Sequence, residues 1–213
     1  MADEQQKTGL RGLFVTFDGI DGSGKSTAIK KVARELVKRG YDVLLTREPT
    51  DSWLGDAVNR AIREQADPFV IAFAFMADRA LHVNRIVKWL EEGKIVLCDR
   101  YVDSTYAYQA AHMEGFMEKP IEWLKAMHEP FALCPDITLL FDISPEDALA
   151  RVQGREELIM FEKVEFLSKV GQNYLLLLED NPVMARIDAS KSITAVASDC
   201  LKKILERIQD NPE

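Results

Sequence analysis

The stretch Gly19-Ile20-Asp21-Gly22-Ser23-Gly24-Lys25-Ser26-Thr27 decides how this chain folds. Gly19 and Gly24 bracket four residues and Lys25-Ser26 follow at once, the G-x-x-x-x-G-K-[ST] spacing of a phosphate-binding loop. Glycines let the backbone curl round a phosphate chain, so that inward N–H groups and the positive end of the following helix face the anion. Gly22, Ser23 and Thr27 complete this cradle. Lys25 then reaches the outer phosphates, and Ser26 offers a hydroxyl to the magnesium ion that travels with a nucleoside triphosphate. The apolar run Leu13-Phe14-Val15-Thr16-Phe17 before the loop and the helical spacing of Ile29, Val32, Ala33, Leu36 and Val37 after it supply the strand, loop and helix that the motif requires. The alternative is a glycine-rich turn beside an ordinary surface lysine.

Working outward, Gly40 closes the first helix, and residues 41–46 read as a second strand. Helical spacing predicts a short helix over 54–63. Asp67-Pro68 opens a long one that runs to Leu90, where Gly93 stops it. Residues 95–98 are a buried third strand ending in Asp99-Arg100-Tyr101, and helices follow around 104–113 and 121–128. Residues 137–141 form a fourth strand, Ser144 caps a helix that breaks at the arginine-rich 151–155, and a long helix resumes to about 178. Residues 183–187 form a fifth strand and a helix to 208 ends the chain. Strands alternating with helices predict an α/β fold, a five-stranded parallel sheet covered by helices on both faces in three layers. A short tail, residues 1–9, reads as disordered, and 10–213 as one domain with a lid at about 151–157.

Bulk properties narrow the partners. With 35 acidic and 27 basic residues among 213, the formal charge is -8, which argues against a nucleic-acid-binding surface, so a phosphate partner must be met by a local basic cluster. Cys98, Cys134 and Cys200 are odd in number and widely spaced, which fits a reducing cytosol rather than a disulfide framework or a zinc site. The apolar run from Pro68 to Ala77 is too short to cross a bilayer, and the first nine residues lack the apolar centre of a signal peptide.

In parallel sheets, ligands gather at the carboxyl ends of the strands. That rule brings together Asp18 and the loop, Arg47, Asp99 and Arg100, Asp142, and Asp188. Asp99 stands where loop proteins of this kind place a carboxylate near magnesium, although it equally suits a helix cap. Arg100 suits a phosphate oxygen, with a structural ion pair as the alternative. Phe75 and Arg79 lie four apart on a helix, hence on one face roughly 6 Å apart, where a flat ring can stack while the arginine donates to its edge. Tyr101, Thr105 and Tyr108 also share a helical face, by residues alone as consistent with core as with a site.

Taken in order, the loop with its preceding Phe17-Asp18-Gly19, then Thr46-Arg47-Glu48-Pro49, Phe75-Met76-Ala77-Asp78-Arg79, Asp99-Arg100-Tyr101, Ser104-Thr105 with Ala107-Tyr108-Gln109, and Ile187-Asp188-Ala189-Ser190 closely resemble the thymidylate kinase family. The resemblance spans nearly the whole chain and implies a P-loop NTPase-type kinase, a homodimer, that transfers the terminal phosphoryl group of ATP to thymidine monophosphate with magnesium. It implies that Phe75 stacks on the pyrimidine and Arg79 donates to its edge, and that Tyr108 crowds a ribose 2′-hydroxyl. It places Thr105 and Gln109 near the base or phosphate, and Arg47 and Arg100 as the clamp on the acceptor phosphate. It further implies that Ser26 and Asp99 hold the metal, that Asp21 contacts the acceptor sugar or the metal shell, and that Asp188 and Ser190 form part of the adenine pocket. Asp18 departs from the family's glutamate and reaches one methylene less far toward the substrate. Because Gly22 rather than arginine follows Asp21, the resemblance implies that the lid supplies the catalytic arginine, Arg155 ahead of Arg151, although Phe161 stands where many bacterial relatives carry another basic residue. A solvated charged face is the alternative for this arginine cluster. Two other readings of the whole chain remain: a kinase for another nucleoside monophosphate, or a P-loop switch without kinase activity. The chain lacks the Asn-Lys-x-Asp element that reads guanine.

Overall fold

The computed structural model describes residues 12–151 and 157–209, with the side chains of 157–163 excepted. The N-terminal tail, most of the expected lid and Arg155 lie outside the described residues. The sheet has five parallel strands in the order β2-β3-β1-β4-β5: β1 (Leu13–Gly19), β2 (Val43–Arg47), β3 (Ile95–Asp99), β4 (Ile137–Asp142) and β5 (Met184–Asp188). Every residue of β1 is buried, because it runs between β3 and β4 with helices over both faces, as its unbroken apolar run requires. Edge strand β2 has only half-buried and exposed residues.

Helices α1 (Lys25–Lys38) and α8 (Ile193–Gln209) pack together on one face of the sheet. The other face carries α3 (Pro68–Glu91), α4 (Val102–His112) and α7 (Glu157–Asp180), with α2 (Trp53–Arg63) against α3 and α5 (Pro120–His128) against α4. A short α6 (Pro145–Arg151) precedes the expected lid. The core is aromatic at its centre: Phe14, Phe17, Tyr101 and Phe141 are all at most 1% exposed, each contributing roughly 1.5–3 kcal/mol of burial.

Local chemistry fixes the element ends. The Asp67 carboxylate accepts from Phe69 N–H at 2.8 Å, and Pro68 starts α3 where its missing N–H costs nothing. Gly40, at φ 91°, closes α1 by donating to the Val37 carbonyl at 3.0 Å. Two apolar helix positions turn outward: Val37, at the end of the expected inward stripe, is 57% exposed, and Phe73, 49% exposed, meets Trp123 edge-on. In both helices other apolar residues already fill the inward stripe.

Candidate active site

The loop between β1 and α1 is held open by its own backbone. Gly19 has φ 141°, and a Cβ there would lie 2.6 Å from the Phe141 carbonyl oxygen, so no larger residue fits against β4. The Gly19 carbonyl accepts from Lys25 Nζ at 2.9 Å and Arg100 Nη1 at 3.1 Å. Lys25 also donates to the Ile20 carbonyl at 2.8 Å and to Ser23 Oγ at 3.2 Å. Burial first, then the charge of Arg100, pulls its ammonium down to about 7, against the carboxylates of Asp21, Asp99 and Asp18.

Above the loop lies a cavity of about 500 Å³ lined by Asp21, Gly22, Gly24, Lys25, Ser26, Thr27, Arg47, Glu48, Asp99, Arg100 and Arg151. Ser26 Oγ donates to Asp99 Oδ2 at 2.5 Å, a hydroxyl and a carboxylate at the mouth of the loop. These are hard oxygen donors, and among the described residues no group of three or more His, Cys, Asp or Glu side chains is placed to hold a metal. The set suits magnesium, which is commonly bound by one or two carboxylates together with substrate phosphates and water.

Against the same loop opens a second cavity, about 700 Å³, whose walls come from α3 and α4 and include Phe75, Arg79, Thr105, Tyr108 and Gln109. Asp21, Glu48 and Arg100 line both cavities. Arg100, at φ 69°, is a non-glycine residue in the left-handed region, a conformation that costs on the order of 1–2 kcal/mol. It is held there by interactions on every side: Nη2 donates to Asp21 Oδ1 at 2.7 Å, Nη1 to Ser104 Oγ at 3.2 Å, and the guanidinium stacks 5.0 Å from the Tyr108 ring centre. Tyr108 Oη accepts from the Asp21 N–H at 3.0 Å. Burial works against ionisation of Asp21, but Arg100 and Lys25 outweigh it and hold the carboxyl below the usual range.

Beneath this wall is a buried charge network. Arg79 is 1% exposed; its Nε donates to Glu48 Oε2 at 2.9 Å, and its Nη2 donates to the same oxygen and to Thr105 Oγ1 at 2.9 Å. The other Glu48 oxygen accepts from His82 Nδ1 at 2.9 Å. Asp78, one residue before Arg79, accepts from the Thr50 N–H at 2.7 Å and from the hydroxyls of Thr50 and Ser52, which ties the β2–α2 loop to α3. A buried pair of this kind is costly to break from one side, about 3–5 kcal/mol, because the surviving charge loses its partner.

Most of the residues singled out from the sequence therefore meet in these two cavities. Asp18 does not: it is fully buried behind the loop, where Oδ1 accepts from Ser104 Oγ at 2.5 Å and Oδ2 has no partner among the described residues. Desolvation raises its pKa. The short aspartate binds Ser104, the same hydroxyl that accepts from Arg100, and so supports the arginine from behind rather than lining the cleft. Tyr101 lines the second cavity with Thr105 and Tyr108, although it precedes α4: its ring meets Phe14 edge-on, and its hydroxyl accepts from Leu133 N–H at 3.1 Å. Asp188 and Ser190 close a turn of their own at the end of β5, and Arg151 Nη2 donates to the Ser190 carbonyl at 3.4 Å. Arg47 is exposed and paired with Asp51 at 2.5 Å. The sequence reading missed Ser104 and His82 as site residues. It also gave Glu48 and Asp78 no role of their own, although both lie inside the quoted motifs.

The thymidylate kinase family model matches residues 17–200. A probable thymidylate kinase of Methanosarcina barkeri is 43% identical over 205 residues, covering 95% of this chain and 100% of that protein. One from Pyrococcus horikoshii is 42% identical over 199 residues, 89% of this chain and 94% of the other. The chain belongs to the thymidylate kinase family. Its parallel sheet, with the loop at the carboxyl end of the central strand, is the P-loop NTPase-type fold of that family.

Proposed function

We propose that this family member transfers the γ-phosphoryl group of ATP to thymidine monophosphate, giving thymidine diphosphate and ADP. The carrying observation is the shared wall: the loop cavity and the α3–α4 cavity meet at Asp21, Glu48 and Arg100, so a donor phosphate in one faces an acceptor phosphate in the other. In-line transfer needs that arrangement and little covalent help from the protein.

The loop backbone and Lys25 bind the β- and γ-phosphates. Arg100 and Arg47 hold the acceptor phosphate, which is already anionic near neutral pH, so no strong base is required. Phe75 stacks on the pyrimidine, Arg79 donates to its edge, and Tyr108 packs on the sugar with Gln109 and Thr105 beside it. Asp21 keeps Arg100 aimed at the junction. The lid supplies positive charge to the migrating group, through Arg155 ahead of Arg151; Arg155 lies outside the described residues, and the position of Arg151 in the wall of the loop cavity supports a source in this segment. Ser26 and Asp99 would hold magnesium, which when bound neutralises charge developing on the phosphates. Asp188 and Ser190 belong to the adenine side. A homodimer is part of the proposal, supported by Trp53, Ile62, Val70 and Phe73 left exposed along α2 and α3. So is a cytoplasmic setting, supported by the buried free thiols of Cys98 and Cys200.

A coupled assay of ADP release across thymidine, uridine, cytidine and guanosine monophosphates tests this reading. Thymidine monophosphate should be the preferred acceptor. Preference for another acceptor would point to a different monophosphate kinase, and ATP binding without turnover on any acceptor would point to a nucleotide switch.

A further inference from the structure

His128 ends α5, far in sequence from the loop, and is 0% exposed. Its Nδ1 lies 2.7 Å from the Leu124 carbonyl oxygen, which can only accept, so Nδ1 carries the ring proton. Nε2 is therefore a bare lone pair, and Arg79 Nη1 donates to it at 2.6 Å. Burial and the Arg79 charge, against the Leu124 hydrogen bond, pull the imidazole down to about 3, so it stays neutral in this role. Tyr106 and Phe131 pack on the ring, each with centroids 5.4 Å away, and fix its plane.

A guanidinium has five N–H groups. In Arg79, Nε–H and one Nη2 hydrogen go to Glu48, the other Nη2 hydrogen to Thr105, and one Nη1 hydrogen to His128. Among the described residues one Nη1 hydrogen remains without an acceptor, and Arg79 lines the α3–α4 cavity whereas His128 does not.

We infer that His128 is a positioning residue for the acceptor base. By taking one Nη1 hydrogen it locks the guanidinium plane and leaves Arg79 a single directed donor for a carbonyl oxygen on the base edge. A base that offers an amino group there meets a donor and no acceptor. This inference rests on the acceptor reading given above. It also separates His128 from a residue that merely staples the end of α5, because the two jobs use different ring nitrogens.

Two variants divide those jobs. His128→Asn keeps an amide N–H near Nδ1 for Leu124 but stops short of Arg79; His128→Gln carries an amide oxygen out to the Nε2 position. If His128 aims Arg79, the asparagine variant raises KM for thymidine monophosphate by roughly tenfold or more with kcat and the KM for ATP little changed, as expected for a lost hydrogen bond to a charged group. It also narrows the preference over deoxycytidine monophosphate, while the glutamine variant stays within about threefold of the parent. Equal KM values for the two variants, or a worse glutamine variant, overturn the inference. Nitrogen NMR of the parent protein reads the same geometry without activity or mutation: an unprotonated, hydrogen-bonded Nε2 supports it, and a protonated Nε2 overturns it even if neither variant folds. Lack of turnover by the parent on thymidine monophosphate would instead sink the functional reading, with the NMR result still deciding the Arg79–His128 geometry.

Discussion

The two cavities are built in opposite ways. The phosphate cavity is made largely by one contiguous loop, whose glycines, backbone groups and lysine lie within nine residues, joined by Asp99 and Arg100 from the neighbouring strand end. Its outer polar groups, such as Arg47 and Ser26, face solvent. The α3–α4 cavity, the acceptor site of the proposal, is made by side chains from the β2–α2 loop, α3 and α4, with a buried ionic network behind them that reaches α5. A backbone-built site tolerates change around it and depends on a few groups for chemistry. A site built from buried charges couples substrate recognition to folding, because each group is the partner of another.

That contrast can be broken at several points. The largest effect belongs to Lys25→Ala, which should cut turnover by on the order of a thousandfold or more while leaving thermal stability near that of the parent; near-normal turnover in a steady-state assay contradicts its role at the transferring phosphate. Arg79→Ala should fail differently, by losing stability as well as acceptor affinity: stranding Glu48 costs about 3–5 kcal/mol, a fall in Tm of roughly 6–20 °C by calorimetry.

Asp103, buried in the first turn of α4, tests whether the acceptor side also carries electrostatic strain. Burial, reinforced by the charge of Asp18, raises its carboxyl to about 7. The folded state therefore holds a proton that the unfolded chain, with an ordinary aspartate near 3.9, has released. Stability from this group is present below about pH 4 and is lost as pH rises toward 7. Asp103→Asn should thus become more stable than the parent by on the order of 3 kcal/mol at pH 8, with the gap closing near pH 4. Denaturant melts at the two pH values check this, and a gap that does not change with pH rejects it. Tyr108→Phe removes one hydroxyl from Asp21 and should cost about two- to tenfold in kcat/KM. Arg47→Ala, which breaks only an exposed pair, should leave stability within about 0.5 kcal/mol and act on the acceptor KM alone.

The same contrast explains what could be read from the sequence. Strands β1, β3 and β4 announce themselves as buried apolar runs, and the loop glycines carry their backbone requirement in local sequence. Strand order is set by how helices pack across the sheet, so the insertion of β3 between β2 and β1 has no local signal. Phe75 with Arg79 was legible because four-residue spacing on a helix fixes their geometry. Asp18 was misplaced because its direction depends on the sheet pleat and on Ser104, 86 residues away. The role of His128 has no sequence signature at all: it arises only where the end of α5 is laid against α3, 49 residues apart in the chain.

The most direct single measurement follows the phosphoryl group itself. The protein is mixed with γ-labelled ATP and magnesium, with and without thymidine monophosphate, and the products are separated after less than one turnover. Label should appear in thymidine diphosphate at the rate ADP is formed, with none on the protein. Label retained on the protein, or released as free phosphate while thymidine monophosphate is left unchanged, would contradict direct transfer across the wall of Asp21, Glu48 and Arg100.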